Sequence, residues 1–340
     1  MLAARMPEAF RVEYLDLPVP ECGDDQVLLK NKYLGVCASD QQIFHGRHKY
    51  MTFPLVMGHE VMAVVEQVGK NVTGFVPGDR VVLQPQVVCG RCYPCSIGRF
   101  NVCEHLKVIG VHMDGAACEY LAVSPWNLHK LPPEVDDVSA ALIEPLAVGM
   151  GSAHRAGDLR GANVAVIGAG IIGNFAGQCA KALGAEKVII SDVIQNKLDL
   201  AEACGLVPVD AGKLELKDAV VREFGAFRKA DVIIDCAASR GSFAAALAAA
   251  RPSSRIVFTG NYKDSVEFEV PAIQRSEVSM IGHMMYVKED FAAAIRCLKE
   301  GLIHTEGLVT QHFPLREYHK AFAFADEHPA EVVKMMIDIA

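Results

Sequence analysis

Outside one glycine-rich stretch the sequence has no run of about 18 uncharged apolar residues, so no bilayer-spanning helix is expected. Nor does it open like an export signal. Arg5, Glu8 and Arg11 fall where such a signal needs its apolar region, which predicts a soluble, cytoplasmic protein. Positive charge is not in excess either. With 33 Lys+Arg against 41 Asp+Glu the formal charge is −8, and the cations are scattered, so no field exists for gripping nucleic acid or an anionic membrane. Internal repeats and low-complexity tracts are also missing. What the chain does have is length and apolar content. Its 340 residues, 51% hydrophobic and 22% charged, suffice for two cores. There are 11 cysteines, an odd number, and four of them crowd together, which favours metal ligation in a reducing compartment over a disulfide scaffold.

The first third reads as strands and turns. Val27, Leu29 and Tyr33 fit a period of two, 61–68 and 81–83 are β-branched runs, and Val76-Pro77-Gly78-Asp79 punctuates them. Leu131-Pro132-Pro133-Glu134 marks the exit from this region. From there the rhythm alternates, with strands predicted over 164–167, 187–191, 231–235 and 256–259 and helices over 171–183, 197–204 and 243–250. Such alternation predicts an α/β, doubly wound parallel sheet.

Within it, Val164-Ala165-Val166-Ile167-Gly168-Ala169-Gly170-Ile171-Ile172-Gly173 is an apolar strand running through G-x-G-x-x-G into a helix. Gly168 permits the tight turn, Gly170 a close approach of a pyrophosphate, and Gly173 packing of helix on strand. The helix start at Ile171 and Ile172 offers free N–H groups and the positive end of a dipole. Asp192 ends the next strand, 19 residues beyond Gly173, where a carboxylate accepts the ribose hydroxyls of NAD and repels the 2′-phosphate of NADP. Lys197, five residues further on, is placed to reach the same ribose or to pair with Asp192.

Cys89, Cys92, Cys95 and Cys103 give four thiolates within 15 residues, the pattern of a structural zinc site. The last gap of seven, followed by Glu104 rather than proline, departs from the compact iron–sulfur run. Four thiolates leave zinc a formal −2, which Arg91, Arg99 and Lys107 are placed to offset in part.

The remaining chemistry is scattered: Cys37 in Gly35-Val36-Cys37-Ala38-Ser39-Asp40, then Gly58-His59-Glu60, then Ile143-Glu144-Pro145. Together with the cysteine lobe and the glycine turn, all in the same order along the whole chain, these resemble the zinc-dependent medium-chain alcohol dehydrogenases, in particular the polyol branch typified by sorbitol dehydrogenase. The resemblance implies a GroES-like β-rich catalytic domain, 1–146 with 290–340, carrying the structural zinc lobe 89–103. It also implies a Rossmann NAD-binding domain over 147–289 and a homodimer or homotetramer. It makes Cys37, His59 and Glu60 ligands of a catalytic zinc, with Glu144 a ligand or a partner through water. It puts Thr259 and Met284 beside the cofactor, the latter in Gly282-His283-Met284-Met285-Tyr286, where related sequences carry arginine at the position of Met285. Two zinc ions and NAD per chain are therefore expected.

One thiolate and one carboxylate neutralise Zn²⁺, and an alcohol whose pKa falls from about 16 toward 7 can lose its proton at neutral pH and give up hydride. Ser39, two residues after the ligand cysteine, is the expected first proton acceptor, since a hydroxyl both donates and accepts. Beyond it the sequence departs from the branch, because the usual histidine is Gln42, leaving His45 either to continue the relay or simply to sit in the loop. His112, in Gly110-Val111-His112-Met113-Asp114-Gly115, stands as a lone histidine that is either structural or faces the substrate. The reaction expected is oxidation of a secondary hydroxyl of a polyol, sugar or sugar acid. A threonine 3-dehydrogenase-like enzyme and a non-catalytic dinucleotide-binding relative are the alternatives.

Overall fold

The computed structural model describes residues 1–339. The chain divides into two units, Met1–Glu144 completed by the stretch from Val309 onward, and Pro145–Leu308.

In the first unit the long strands Val27–Val36 and Glu60–Val68 run antiparallel at the middle of a mainly antiparallel sheet. On the side of Glu60–Val68 lie Arg80–Leu83 and then Leu128–Lys130; on the side of Val27–Val36 lie Lys334–Asp338 and then Val309–Pro314. Tyr120–Val123 also pairs with Val27–Val36. The expected period of two is only partly kept there. Val27, Leu28 and Leu29 are all buried, because both faces of that strand are covered. A second sheet joins Leu2–Glu8 to Arg11–Asp16 and Leu55–Val56.

The second unit is a six-stranded sheet, parallel at every pairing. Its spatial order is Val207–Asp210, Lys187–Asp192, Asn163–Ile167, Ala230–Asp235, Ala250–Phe258, Ser279–Gly282. Numbered along the chain this is 3-2-1-4-5-6, the doubly wound arrangement that binds ligands at its strand-order reversal. Asn163–Ile167 is buried throughout, as a strand with helices on both faces must be. The helix Leu216–Phe224 escaped the sequence reading, although Leu216, Ala219, Val220 and Phe224 recur at helical spacing on its buried side.

Residues 290–308, expected with the first domain, belong to the second unit. The helix Lys288–Lys299 buries Phe291, Ala293, Ala294 and Cys297. His154 Nδ1 lies 2.6 Å from Asp290 Oδ1, and Gln178 exchanges hydrogen bonds of 3.0 and 2.7 Å with the backbone of His304. The other division likewise falls after Glu144 rather than at 146. Among the described residues no helix is long and apolar enough to cross a membrane.

Candidate functional site

Strand register explains how distant residues meet. Gly35 pairs with Glu60, and Val36 with Met335, so three strands bring Cys37, His59–Glu60 and Lys334 to one end of the sheet. One donor atom each from Cys37, His59 and Glu60 lies within 4.8 Å of the others. Gly35 is required here, since a Cβ would stand 2.2 Å from Glu60 Oε2. Cys37 leads into the helix Ala38–Phe44, whose Asp40 accepts the Cys37 N–H at 2.9 Å and whose first turn holds Ser39.

Around these donors the protein is charged and largely buried, with Cys37 the partly exposed member. Asp40 is fully buried, its Oδ1 3.6 Å from His59 Nδ1, and neither of those two atoms has a hydrogen-bond partner. Burial pulls the His59 imidazole down, but Asp40, Cys37 and Glu144 outweigh it and raise its pKa well above the ordinary value. Without a cation the shell thus draws a proton onto His59. Thiolate, imidazole and carboxylate converging in an anionic shell form a donor set suited to zinc. Glu144, nearly buried in the first turn of the helix Ile143–Arg155, acts on His59 and Lys334 through its charge but lies outside the close donor group.

Three residues escaped the sequence reading. Asp40 was legible, standing three residues after Cys37 at a capping distance. Lys334 was legible in part, as one cation in the apolar run Val332-Val333-Lys334-Met335-Met336-Ile337. It is 3% exposed and donates to both Glu60 oxygens, at 2.8 and 2.7 Å, and to Val36 O at 3.1 Å. Burial lowers the Lys334 pKa, and Glu60, Cys37 and Glu144 more than offset that, so it stays raised. Tyr318 gave no signal. It is fully buried, its hydroxyl lacks a partner, and burial followed by the charges of Asp40, Glu60 and Cys37 raises it well above an ordinary phenol. His45 Nε2 lies 2.9 Å from Asp326 Oδ2 on the helix Tyr318–Glu327.

Cys89, Cys92, Cys95 and Cys103 form the second close group, their sulfurs within 4.8 Å of one another. Cys92 and Cys103 are 3.7 Å apart and Cys103 and Cys89 3.5 Å, against roughly 3.8 Å for thiolates on one tetrahedral zinc. The Arg91 N–H and neighbouring donors bring the Cys89 thiol down to about 6, while burial and the thiols of Cys92 and Cys103 push Cys95 up to about 12. Four sulfurs this close cannot all ionise without a cation among them.

In the second unit Gly168 has φ +95, and a Cβ on Gly173 would stand 1.8 Å from Gly168 O. Only glycine fits either place. Gly170 N-caps the helix Ile171–Ala182, with no side-chain cap and nothing within 4 Å of where its Cβ would be. That open cradle at uncapped N–H groups suits a pyrophosphate. Asp192 does two jobs: Oδ2 accepts Ala169 N–H at 2.7 Å, and Oδ1 accepts Val193 and Ile194 N–H at 2.7 and 3.0 Å. It lines a cavity of about 660 Å³ with Gly168, Val193, Lys217 and Ser239, large enough for an adenosine. Lys197 is on the helix Gln195–Ala203, outside that lining, and Lys217 is the cation that faces it. Asp235, unremarked in the sequence, accepts Ala237 N–H, Ala238 N–H and Ser242 O–H at 2.9, 3.1 and 2.8 Å, together with Tyr262 O–H, and so fixes the turn bearing Ala237 and Ser239. Thr259 Oγ1 lies 2.6 Å from Ser152 Oγ, and Met284 is half exposed.

A sheet-based unit with two clusters suited to metal, followed by a doubly wound dinucleotide-type unit, defines a metal-dependent oxidoreductase. Residues 23–133 match the alcohol dehydrogenase GroES-like domain and 172–300 the zinc-binding dehydrogenase domain. The chain is 30% identical over 338 residues to L-galactonate-5-dehydrogenase of Escherichia coli K12, covering 99% of this chain and 98% of that one. It is 30% identical over 344 residues to sorbitol dehydrogenase of Bacillus subtilis 168, covering 99% and 97%. The solved structure of a short chain alcohol dehydrogenase of Escherichia coli CFT073 complexed with NADH superposes with TM-score 0.92 at 30% identity, covering 100% of this chain and 99% of that one. The protein belongs to the zinc-dependent medium-chain dehydrogenase family, in its polyol dehydrogenase branch.

Proposed function

We propose that the protein oxidises a secondary hydroxyl of a polyol, sugar or sugar acid with NAD, using one catalytic and one structural zinc per chain. The observation that carries this is the convergence of Cys37, His59 and Glu60 at one end of the sheet, in an anionic shell that calls for a cation. Zinc held there would supply Lewis acidity toward a substrate hydroxyl, and NAD would supply the hydride acceptor.

The chain's own residues do the rest. Cys37 and His59 hold the ion, and Asp40, facing His59 Nδ1, sets the direction of the imidazole. Lys334 holds the Glu60 carboxylate by both oxygens, so Glu60 reaches the ion only by loosening that pair. Glu144, outside the close group, would act on a bound ion through its charge, as it does on His59 and Lys334. Ser39 takes the substrate proton. With His45 committed to Asp326 and Gln42 unable to titrate, the proton leaves through ribose or solvent rather than along a histidine relay. In the second unit Gly168, Gly170, Gly173 and the N–H groups at Ile171 and Ile172 receive the pyrophosphate, and Asp192 the ribose.

Turnover of a panel of polyols, aldonates and threonine, followed by NAD reduction with and without chelator, tests the reading. Chelator-sensitive reduction with a hydroxyl substrate supports it, and none with any substrate refutes it. Cys95→Ser is expected to lower bound zinc from two ions to one per chain, read by metal analysis; an unchanged content rejects the lobe as a zinc site. Asp192→Ala is expected to narrow the NAD/NADP preference by about 1–3 kcal/mol. Because Asp192 also ties Ala169 to its own turn, affinity for both dinucleotides should fall, that for NAD further, and an unaltered ratio of the two rejects the ribose role.

A further inference from the structure

The segment after the helix Ala38–Phe44 carries Arg47-His48-Lys49-Tyr50, a cationic run in a chain of net charge −8. Tyr50 is 72% exposed and adds nothing to the core. Its ring meets two imidazoles, 6.2 Å from His48 at 75° and 6.4 Å from His112 in a stacked arrangement at 27°. This contact joins two loops distant in sequence, and all three residues belong to the unit that holds Cys37 and His59.

The two imidazoles are oriented alike. His48 Nδ1 accepts the Tyr50 N–H at 3.5 Å, and His112 Nδ1 accepts the Val108 N–H at 3.1 Å. With Nδ1 accepting, the neutral ring of each carries its proton on Nε2 and presents a donor there. Burial, then the charges of His112 and His59, lower His48; burial and Lys107 lower His112 despite its backbone hydrogen bond. The loop that bears His112 packs on the residue before His59: a Cβ on Gly110 would stand 2.3 Å from Gly58 O, which accepts the Ala116 N–H at 3.0 Å. Arg47 and Lys49 flank His48 in sequence, and Lys107, next to the Val108 that donates to His112, acts on that ring through its charge, so two Nε2–H donors and a phenol share this stretch of surface with positive charge.

We propose that His48, Tyr50 and His112 form a subsite for an anionic end group of the substrate, a carboxylate or a phosphoester, so that the sugar oxidised is charged rather than a neutral polyol. This rests on the dehydrogenase reading above and narrows its substrate class. A hydroxyl would accept the same donors but gain nothing from the surrounding cations, whereas an anion uses both, and charge-assisted hydrogen bonds are roughly twice as strong as neutral ones.

The test compares a hexonate, a hexitol and a hexitol phosphate on the zinc-loaded enzyme with NAD, and measures binding of each by calorimetry. The charged sugars should exceed the hexitol in kcat/KM by about tenfold or more, a single charge-assisted contact's worth. The hexonate and phosphate arms say which anion is taken. His48→Ala with His112→Ala should cut the charged-to-neutral ratio about tenfold, through KM rather than kcat. Hexitol turned over as well as the charged sugars removes the subsite and keeps the dehydrogenase. Turnover of none, with hexonate or hexitol phosphate binding that the double variant abolishes, removes the dehydrogenase reading and keeps the subsite. Should the double variant misfold, equal affinity of wild type for hexitol and hexonate, neither weaker than for hexitol phosphate, overturns the proposal.

Discussion

Replacing Cys37 by alanine should lower kcat by at least about a thousandfold, since a Lewis-acidic ion contributes several kcal/mol and each 1.36 kcal/mol is tenfold. Cys37 contributes the sulfur of the close donor group, and its backbone N–H anchors Asp40. With the sulfur gone, His59 and Glu60 remain, and Glu60 is already held at both oxygens by Lys334. Two donors, one of them engaged, cannot hold zinc against a competing chelator. Metal analysis should then find one ion per chain, the one in the cysteine lobe. NADH binding, followed by the cofactor's fluorescence, should persist, because the glycine turn and Asp192 lie in the other unit. Undiminished turnover, or two ions still bound, would reject Cys37 as a ligand.

Lys334→Met should destabilise the metal-free protein by about 3–5 kcal/mol, the cost of stranding a buried charge. Glu60 is 1% exposed, so no water can replace the two hydrogen bonds it would lose. Methionine preserves the volume and the apolar stem of lysine, which isolates the charge from packing. Urea unfolding of chelator-treated protein gives the number. Saturating zinc should recover part of the loss, because the carboxylate then has a cation to face. A change below about 1 kcal/mol, the usual ceiling for an exposed ion pair, would mean that the pair is not closed to water.

Elements with strong local punctuation were legible in sequence. The glycine turn and the cysteine lobe each use residues close along the chain, so their spacing carries their geometry. The parallel sheet was legible from alternation, although strand ends moved by a residue or more, as in Ala250–Phe258, which begins six residues before the expected 256–259. The cluster around Cys37 and His59 was not legible from local pattern. Cys37, His59 and Lys334 meet only through the register of three strands, and pairing partners lie almost 300 residues apart. Resemblance supplied the first two; Asp40 and Lys334 left local signals whose meaning came with the fold, and Tyr318 came only with the fold. Residues 290–308 were misplaced for a related reason. A helix such as Lys288–Lys299 shows its apolar face in sequence but not which core that face enters.

The broken course of the first unit bears on how the protein is made. Its sheet needs Lys334–Asp338 and Val309–Pro314, while the inserted unit Pro145–Leu308 needs nothing that follows it. During synthesis the inserted unit can therefore fold while the earlier one still waits for its last two strands. Until Lys334 leaves the ribosome, Glu60 has no lysine to neutralise it.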